Sequence, residues 1–225
     1  MILRKSLLLF FVSLASAAVP AAHAGTDEEV RFLGYRLESP PETGSFEHDG
    51  DFLRLHELQD HRTPEDCAGA GAQSRLTLDS GFGPATGVLT REELEDSQVL
   101  AAAVIAKAMI PVVYFKKRFQ RPRPYRADSS LIPCISKPRF GNDAYPSGHS
   151  TIGYALALVL ARKFPEKREL ILKQGIKIGE NRVIGGVHHP SDVIAGRKLA
   201  EQVVQGMIRD YSLEYSFYST SKSKY

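Results

Sequence analysis

Apolar residues recur at intervals of three and four in several long stretches of this chain, which is the spacing of amphipathic helices. The pattern predicts helices over residues 51–61, 90–115, 145–164, 165–182 and 190–211. No stretch alternates polar and apolar residues over the length of a strand, so no sheet is expected. The sequence therefore predicts an all-α protein, folded as a compact multi-helix bundle.

Helix start and stop signals refine this pattern. A Thr-Pro pair at residues 63–64 predicts a further helix start, and a capping box at residues 90–93 opens the second long helix. Pro111 is expected to bend or break that helix locally. The glycine-rich residues 80–84 predict a turn, and residues 25–48 an irregular amino-terminal arm.

Residues 99–115 are apolar enough that a membrane span must be weighed against a buried core helix. Lys107 lies at the centre of this stretch, and a charge at that depth in lipid is costly. A buried core helix is therefore preferred. The residues that follow, 116–134, contain three prolines, which predict an extended chain.

Residues 1–24 have the features of a secretory signal. Two basic residues precede an apolar run at residues 7–19, and Ala-His-Ala at residues 22–24 suits cleavage. An uncleaved membrane anchor is the alternative, but the run is short for a span. The mature chain, residues 25–225, is expected to be periplasmic and to form one domain, with its chemically informative core at residues 110–200.

Charge and cysteine content narrow the possible partners. The chain has 29 Lys and Arg against 26 Asp and Glu, a balance too even to predict a nucleic-acid partner. In an exported chain Cys67 and Cys134 are expected to form a disulfide, with two buried free thiols as the alternative. Neither cysteine has the partners of a zinc-finger spacing, so structural zinc is disfavoured.

Three clusters carry the candidate chemistry. They are Lys116 with Arg123 and Pro124; Tyr145, Pro146, Ser147, Gly148 and His149; and Arg182 with His188 and Asp192. Phosphoryl transfer through a histidine needs such groups, because the transition state spreads negative charge over the non-bridging oxygens and requires a nucleophile and an acid in line. The set of cations, imidazoles and carboxylate therefore predicts a phosphatase.

The anion is expected at the start of a predicted helix. Ser147 and Gly148 open that helix, where unpaired amides and the positive end of the dipole favour phosphate. The cations Lys116, Arg123 and Arg182 could surround the same anion. Taken singly, Ser147 could be an ordinary N-cap, Arg182 a cap for carbonyls at a helix end, and the basic segment a solvated loop. Only their combination predicts a site.

The histidines receive different roles. Asp192 follows His188 by four residues across the start of the last helix, so its carboxylate can fix one ring nitrogen and leave the other free to attack phosphorus. Helix capping by Asp192 is the alternative. His149 would act as the general acid and afterwards activate water. His189 is a rival for either role, but its place beside Pro190 is expected to turn it away, towards the rim or a substrate contact.

A metal site is the rival interpretation of the same residues. The possible ligands are His149, His188, His189, Asp192 and Asp143. A divalent phosphatase site normally gathers several carboxylates, whereas arginines and a lysine occupy this neighbourhood. No metal or other cofactor is therefore expected.

The spacing of three motifs resembles the type 2 phosphatidic acid phosphatase (PAP2) superfamily. The motifs are Lys-x6-Arg-Pro at residues 116–124, Pro-Ser-Gly-His at residues 146–149 and Arg-x5-His-x3-Asp at residues 182–192. The chain resembles the bacterial class A non-specific acid phosphatases more closely, on the secretory signal, Arg-Thr-Pro-Glu at residues 62–65, Tyr-Pro-Ser-Gly-His-Ser at residues 145–150 and residues 179–192. The similarity covers roughly residues 50–210.

The resemblance implies a helical fold of the kind shared with vanadium haloperoxidases, no metal, and homodimers in many members. It implies phosphate binding by Lys116, Arg123, Ser147, Gly148 and Arg182, with His149 as acid and His188 as a nucleophile oriented by Asp192. Two positions depart from the family pattern. Asn181 stands where Ser is usual, and His189-Pro190 stands where class A enzymes commonly have Trp, as in the lipid phosphatase branch.

The leading hypothesis is a periplasmic acid phosphatase. It would hydrolyse small phosphate monoesters of broad range through a phosphohistidine, with best activity at acid pH where His149 is protonated, and without stable membrane insertion after signal cleavage. One alternative directs the same fold at lipid-linked phosphates on the outer face of the membrane. The other is an anion-binding or vanadate-haloperoxidase-like site without hydrolysis.

Overall fold

The computed structural model describes residues 29–137 and 143–210. The predicted secretory signal at residues 1–24 lies outside the described residues. In chain order the elements are β1 Val30–Phe32, β2 Tyr35–Leu37, α1 Phe46–His61, α2 Pro64–Ala72, α3 Leu78–Phe82, α4 Arg91–Asp96, α5 Gln98–Phe119, α6 Pro124–Ala127, α7 Gly148–Lys163, α8 Arg168–Ile184 and α9 Pro190–Arg209. Short 3-10 turns precede α4 and α8. The all-α prediction is confirmed, with one small hairpin added.

The amino-terminal segment is more regular than predicted. The irregular arm expected at residues 25–48 contains the antiparallel pair β1 and β2, and α1 already begins at Phe46. Each strand has three residues, too few for an alternating pattern to be visible in the sequence. Phe32 of the hairpin stacks on Tyr114 with ring centroids 3.8 Å apart, so the hairpin packs against α5.

Capping residues set several helix starts. The hydroxyl of Thr63 accepts a hydrogen bond from the Asp66 amide, and the Asp66 carboxylate accepts one from the Thr63 amide, so the predicted start of α2 is confirmed. The capping box at residues 90–93 is also confirmed, but it opens the short α4 rather than one long helix. The predicted turn at residues 80–84 is wrong in part, because an unrecognised box at Thr77 starts α3 there.

The central helix is α7, which packs against α5, α8 and α9. Its approach to α8 is close because Gly175 has no side chain: a Cβ there would lie 2.3 Å from Cβ of Ala157. Two apolar residues of the neighbouring helices, Leu170 on α8 and Ile194 on α9, are exposed. Each is next to a buried residue, and one step along a helix turns the side chain by about 100°.

Helix α5 is buried on one side only. Val104 and Phe115 lie in the core, as the buried-helix prediction requires. Val99, Ile110 and Val113 are exposed on the other side of the helix. Among the described residues, α5 is the helix whose length and apolar composition would allow it to cross a membrane. The core helix of a globular protein has the same two properties, and the buried side of α5 shows that role.

Proline changes the chain less than predicted. Pro111 lies inside α5, which continues to Phe119, so the predicted local break is absent. Lys107 of the same helix pairs with Asp210 at 3.3 Å. The extended segment predicted for residues 116–134 includes the end of α5 and the one-turn helix α6. The first position of α6 accepts a proline, because a backbone amide at that position would have no partner within the helix.

The predicted disulfide between Cys67 and Cys134 is confirmed, with Cα atoms 5.7 Å apart. It attaches α2 to the segment that precedes the undescribed residues 138–142. The backbone amide of Cys134 donates to the carbonyl of Gly185 at 3.2 Å, so the same segment also reaches the end of α8. The disulfide therefore holds α2 beside the end of α8, where the third motif begins.

Candidate active site

His188 lies between α8 and α9, with both ring nitrogens engaged. Nδ1 is 3.1 Å from Oδ2 of Asp192 in the first turn of α9, and Nε2 is 2.6 Å from Nη1 of Arg123. A guanidinium can only donate, so Nε2 carries the lone pair and Nδ1 carries the proton that it donates to Asp192. The backbone turns sharply before His188 at Gly186, whose φ of 74° favours glycine.

The surroundings keep His188 neutral. Burial, and then the charge of Arg123, hold the pKa of His188 well below its ordinary value, although Asp192 acts in the opposite direction. A neutral imidazole with a free lone pair is the nucleophilic form of histidine. Asp192 contacts one ring nitrogen of His188, as the sequence predicted, but the other nitrogen is not free, because its lone pair accepts a hydrogen bond from Arg123.

Asp192 is completely buried and has more partners than the sequence suggested. Its Oδ2 also accepts a hydrogen bond from the His189 amide at 2.8 Å, and Oδ1 accepts one from Nη1 of Arg121 at 2.7 Å. Burial by itself raises the pKa of Asp192. Hydrogen bonds from His188 and His189 and the charge of Arg121 outweigh burial and hold that pKa well below its ordinary value. Asp192 is therefore ionised.

The rim position predicted for His189 is wrong. Its side chain is 2% exposed, its Nδ1 lies 3.1 Å from Oδ2 of Asp192, and its ring stands edge-on to Phe52. His189 is the N-cap of α9, and its extended backbone turns the ring back towards the first turn of that helix. Both histidines therefore meet the same carboxylate oxygen.

Arg123 and Arg182 each keep one buried donor without a partner. Nη1 of Arg123 donates to the carbonyl of Val187 at 2.8 Å, and Nη2 of Arg182 donates to the carbonyl of Ala70 on α2. The latter bond reaches another helix, so capping of its own helix is not its role here. Among the described residues, Nε of each arginine is buried without a hydrogen-bond partner. Such donors are costly unless an acceptor is present, which suits an anion site.

The cations lie close enough to lower one another's pKa. Burial, and then the charge of Arg123, lower the pKa of Lys116 to about 7 and that of Arg182 to about 10. Nζ of Lys116 donates to the carbonyls of Asp143 at 2.7 Å and Ala144 at 3.2 Å, which hold it in place. A bound anion would relieve this repulsion and stabilise the charged forms.

Ser147 and Gly148 begin α7 near the predicted position. The hydroxyl of Ser147 accepts a hydrogen bond from the Ser150 amide at 3.3 Å, which is the ordinary N-cap role that the sequence allowed. The Ser147 amide donates to the backbone carbonyl of Asp192 at 2.9 Å, so the starts of α7 and α9 are joined. A Cβ at Gly148 would lie 3.5 Å from Val112, an ordinary contact, so packing alone does not require glycine there.

His149 is held by the chain that follows α2. Its Nε2 lies 3.1 Å from the carbonyl oxygen of Gln73 and 3.2 Å from that of Ser74, so Nε2 carries a proton and Nδ1 is free to exchange one. Burial, and then the charge of Arg182, lower the pKa of His149 to about 4. Asn181, which replaces the usual serine, donates to the Gln73 side chain at 2.8 Å and so fixes the residue that holds His149.

The histidines weighed as metal ligands direct a ring nitrogen to other groups of the protein. Both His188 and His189 direct Nδ1 to Asp192, whereas His149 directs Nε2 to backbone carbonyls. In residues 29–137 and 143–210, no three His, Cys, Asp or Glu side chains are grouped as a metal site.

Four contributors were missed by sequence reasoning: Asp51, Gln73, Ser74 and Arg121. Gln73 and Ser74 hold His149 through backbone carbonyls, which no side-chain pattern reveals. Arg121 stands among other arginines, and nothing in its spacing distinguishes it. Asp51 offered one signal, since it lies four residues before Leu55 on the buried side of α1, where a carboxylate needs a partner.

The three motifs fall within a known family model. Residues 98–213 match the family model of the PAP2 superfamily, about half of the chain and all three motifs. The non-specific acid phosphatase of Providencia stuartii is 33% identical over 181 residues, which cover 75% of this chain and 71% of that protein.

Solved structures share the fold at lower identity. A bacterial vanadium-dependent iodoperoxidase superposes with a TM-score of 0.57 at 17% identity, over 76% of this chain and 51% of that chain. The transmembrane PAP2-type phosphatidylglycerolphosphate phosphatase from Bacillus subtilis superposes with a TM-score of 0.50 at 18% identity, over 72% of this chain and 86% of that chain. This chain therefore belongs to the PAP2 superfamily and is a class A-like acid phosphatase within it.

Proposed function

We propose that this phosphatase is exported to the periplasm and hydrolyses small phosphate monoesters through a covalent phosphohistidine, without a metal ion. The observation that carries the proposal is the orientation of His188. Its Nδ1–H is fixed on Asp192, and its Nε2 faces Nη1 of Arg123 at 2.6 Å. A phosphoryl oxygen that accepts from Nη1 in place of Nε2 would free the lone pair of that nitrogen and bring the phosphorus atom next to it.

The first step is attack by Nε2 of His188 on phosphorus. The bond between phosphorus and the ester oxygen breaks, its electrons leave with that oxygen, and protonated Nδ1 of His149 supplies the proton that makes the alcohol neutral. The ring of His188 becomes positively charged beside ionised Asp192. The guanidinium of Arg182 and the ammonium of Lys116 would stabilise charge on the non-bridging oxygens.

The second step releases phosphate. Water attacks the phosphorus of the phosphohistidine while neutral Nδ1 of His149 takes the proton of the water. The phosphorus–nitrogen bond breaks and its electrons return to Nε2 of His188. The Ser147 hydroxyl and the Gly148 amide, at the positive end of α7, would support the phosphoryl oxygens through both steps.

Acid pH is proposed to favour the first step. In the free protein the pKa of His149 is lowered to about 4 by burial and then by Arg182, so the ring is neutral above that pH. A bound phosphate monoester adds negative charge that offsets Arg182 and raises this pKa. Substrate binding therefore favours protonation of His149, which supplies the proton for the leaving oxygen. Because that protonation is lost as the pH rises, turnover falls.

A broad substrate range is proposed from the cations and from the relative. The groups that converge would bind the phosphoryl part of a substrate, which all phosphate monoesters share. The Providencia stuartii relative is named a non-specific acid phosphatase. Export rests on the predicted signal at residues 1–24, and fractionation of cells that produce the full chain tests it.

The exposed apolar side of α5 favours a second candidate, hydrolysis of lipid-linked phosphate. Val99 is 84% exposed and Ile110 is 52% exposed, and a membrane surface would cover such side chains favourably. Turnover of a micellar lipid phosphate far above that of p-nitrophenyl phosphate would select this candidate. The reverse order would select small monoesters.

Rapid quench with a phosphorus-labelled substrate tests the mechanism. The wild-type protein is expected to accumulate an acid-labile phosphoenzyme, and His188→Ala is expected to accumulate none. His149→Ala is expected to form the phosphoenzyme from a substrate with a good leaving group but to hydrolyse it slowly. His61→Ala is the matched control, because His61 is exposed and its Nδ1 lies 2.8 Å from the carbonyl oxygen of Glu57.

Three outcomes would contradict the proposal or part of it. A labelled phosphoenzyme in His188→Ala would place the nucleophile elsewhere. Binding of phosphate with no turnover at any pH would favour the non-hydrolytic anion site instead. Activity that is lost with a chelator and restored by a divalent ion would refute the metal-free part.

A further inference from the structure

A buried ionic network extends from Asp192 to the side away from His188. Nη1 of Arg121 donates to Oδ1 of Asp192 at 2.7 Å, and Nη2 of Arg121 donates to Oδ2 of Asp51 at 2.9 Å. The Ser191 amide donates to Oδ1 of Asp51 at 2.9 Å, and the Ser191 hydroxyl bonds both Asp51 and Arg121. The three charged side chains are 7% exposed or less.

The two carboxylate oxygens of Asp192 have different partners. Oδ1 faces Arg121, and Oδ2 faces His188 and His189. The carboxylate cannot rotate without breaking a charge-assisted hydrogen bond on one side or the other. Its direction sets the direction of the Nδ1–H bond of His188. The same ring then determines where the Nε2 lone pair points.

Asp51 determines where the charge of Arg121 is placed. Arg121 is only two residues before Arg123, whose guanidinium contacts His188. A fourth uncompensated cation there would add to the repulsion that already lowers the pKa of Lys116. The carboxylate of Asp51 on α1 binds Arg121 on the side of Asp192 that faces away from His188. Arg123 therefore contacts the histidine of the His188–Asp192 pair, and Arg121 contacts the carboxylate.

We propose that Asp51 and Arg121 are positioning residues for the nucleophile: they hold Asp192 so that His188 keeps its Nε2 lone pair directed at phosphorus. This inference rests on the proposed phosphohistidine function. Both residues act through Asp192, and neither is a catalytic residue. The network also makes the position of α1 part of the active site, although α1 contributes no group to the chemistry.

Asp51→Asn tests the network, because it keeps the shape of the side chain and removes its charge. We expect kcat for p-nitrophenyl phosphate to fall about 10- to 100-fold, the range seen for outer partners of catalytic groups in metal sites. We expect KM to change less than about threefold, since the residues that would bind the phosphoryl group are unaltered. Arg121→Lys keeps the charge but loses the two-pronged geometry, and a smaller fall is expected.

Two measurements separate positioning from a structural role. In rapid quench, the variants are expected to form the phosphoenzyme more slowly. In NMR spectra of histidine-labelled protein, the resonance of the His188 Nδ1–H proton is expected to shift or broaden, because the carboxylate that accepts it is no longer fixed. Asp49→Asn is the matched control, since Asp49 lies on the same helix with its side chain 70% exposed. It is expected to leave the rate and the resonance unchanged.

The proposal is overturned if Asp51→Asn behaves as Asp49→Asn does in both measurements. It is also overturned if Asp51→Asn and Arg121→Lys both fail to fold, since the pair would then serve the fold alone. Loss of the phosphoenzyme in His188→Ala would leave the proposed function standing in either case. A phosphoenzyme that persists in His188→Ala would remove the proposed function itself.

Discussion

Removal of the disulfide between Cys67 and Cys134 is expected to destabilise the fold by about 4 kcal/mol. The two cysteines are 67 residues apart, and in the chain-entropy model a closed loop of that size restricts the unfolded chain by about 4 kcal/mol at 25 °C. A typical domain has about 5–15 kcal/mol of total stability. The loss would leave a marginally stable protein.

The same change is expected to loosen the site before the whole protein unfolds. The disulfide holds α2, whose carboxyl-terminal end supplies the Ala70 carbonyl to Arg182. The carbonyls of Gln73 and Ser74 just beyond it hold His149. We therefore expect kcat to fall in the variant under conditions where the far-ultraviolet circular dichroism is still native.

Urea unfolding of the oxidised protein and of the double variant Cys67→Ala, Cys134→Ala measures the first effect. The chain has no other cysteine, so dithiothreitol should lower the midpoint of the wild-type protein and leave the double variant unchanged. A difference below about 1 kcal/mol with equal m-values would refute the loop-entropy argument. Unchanged kcat at reduced stability would refute the link between α2 and the site.

Two further predictions concern packing and charge. Gly175→Ala is expected to lower the free energy of unfolding by about 1–3 kcal/mol, because the new Cβ would lie 2.3 Å from Cβ of Ala157; Gly69→Ala, with open space around it, should instead be neutral or stabilising in the same urea titration. The affinity for sulfate, whose charge is constant near neutrality, is expected to fall as the pH rises through about 7, where free Lys116 loses its proton, by up to about tenfold per pH unit. In calorimetry, the sulfate affinity of Lys116→Met should not fall over this pH range, whereas that of Lys117→Met, at an exposed position, should fall as in the wild-type protein. An equal fall in Lys116→Met would assign the titration to another group.

The sequence predicted the helices well where local signals were complete. The Thr-Pro start of α2 and the apolar spacing of α7 and α9 are contained within short segments, so each could be recognised without a partner. A local signal also predicted more than the structure shows. Pro111 was expected to bend or break α5, and the helix continues through it to Phe119 without a break.

The outcome for His189 shows the same limit inside the site. Its neighbour Pro190 suggested a ring that faces outward, yet the ring is buried against Phe52 and Asp192. Whether a side chain next to a helix start turns in or out depends on what lies opposite. Here α1 lies opposite, and no pattern in the sequence around His189 predicts that α1 packs there.

The sequence by itself determined the helical class, the three motifs and the kind of chemistry that their residues suit. Only the tertiary structure decided how those residues are held. Arg121 is 70 residues from Asp51 and 71 from Asp192, and His149 is 76 residues from the Gln73 carbonyl that holds it. Helix spacing and caps act over a few residues of one segment. A buried charge takes its partners from whichever segments packing brings alongside, and that choice exists only once the chain has folded.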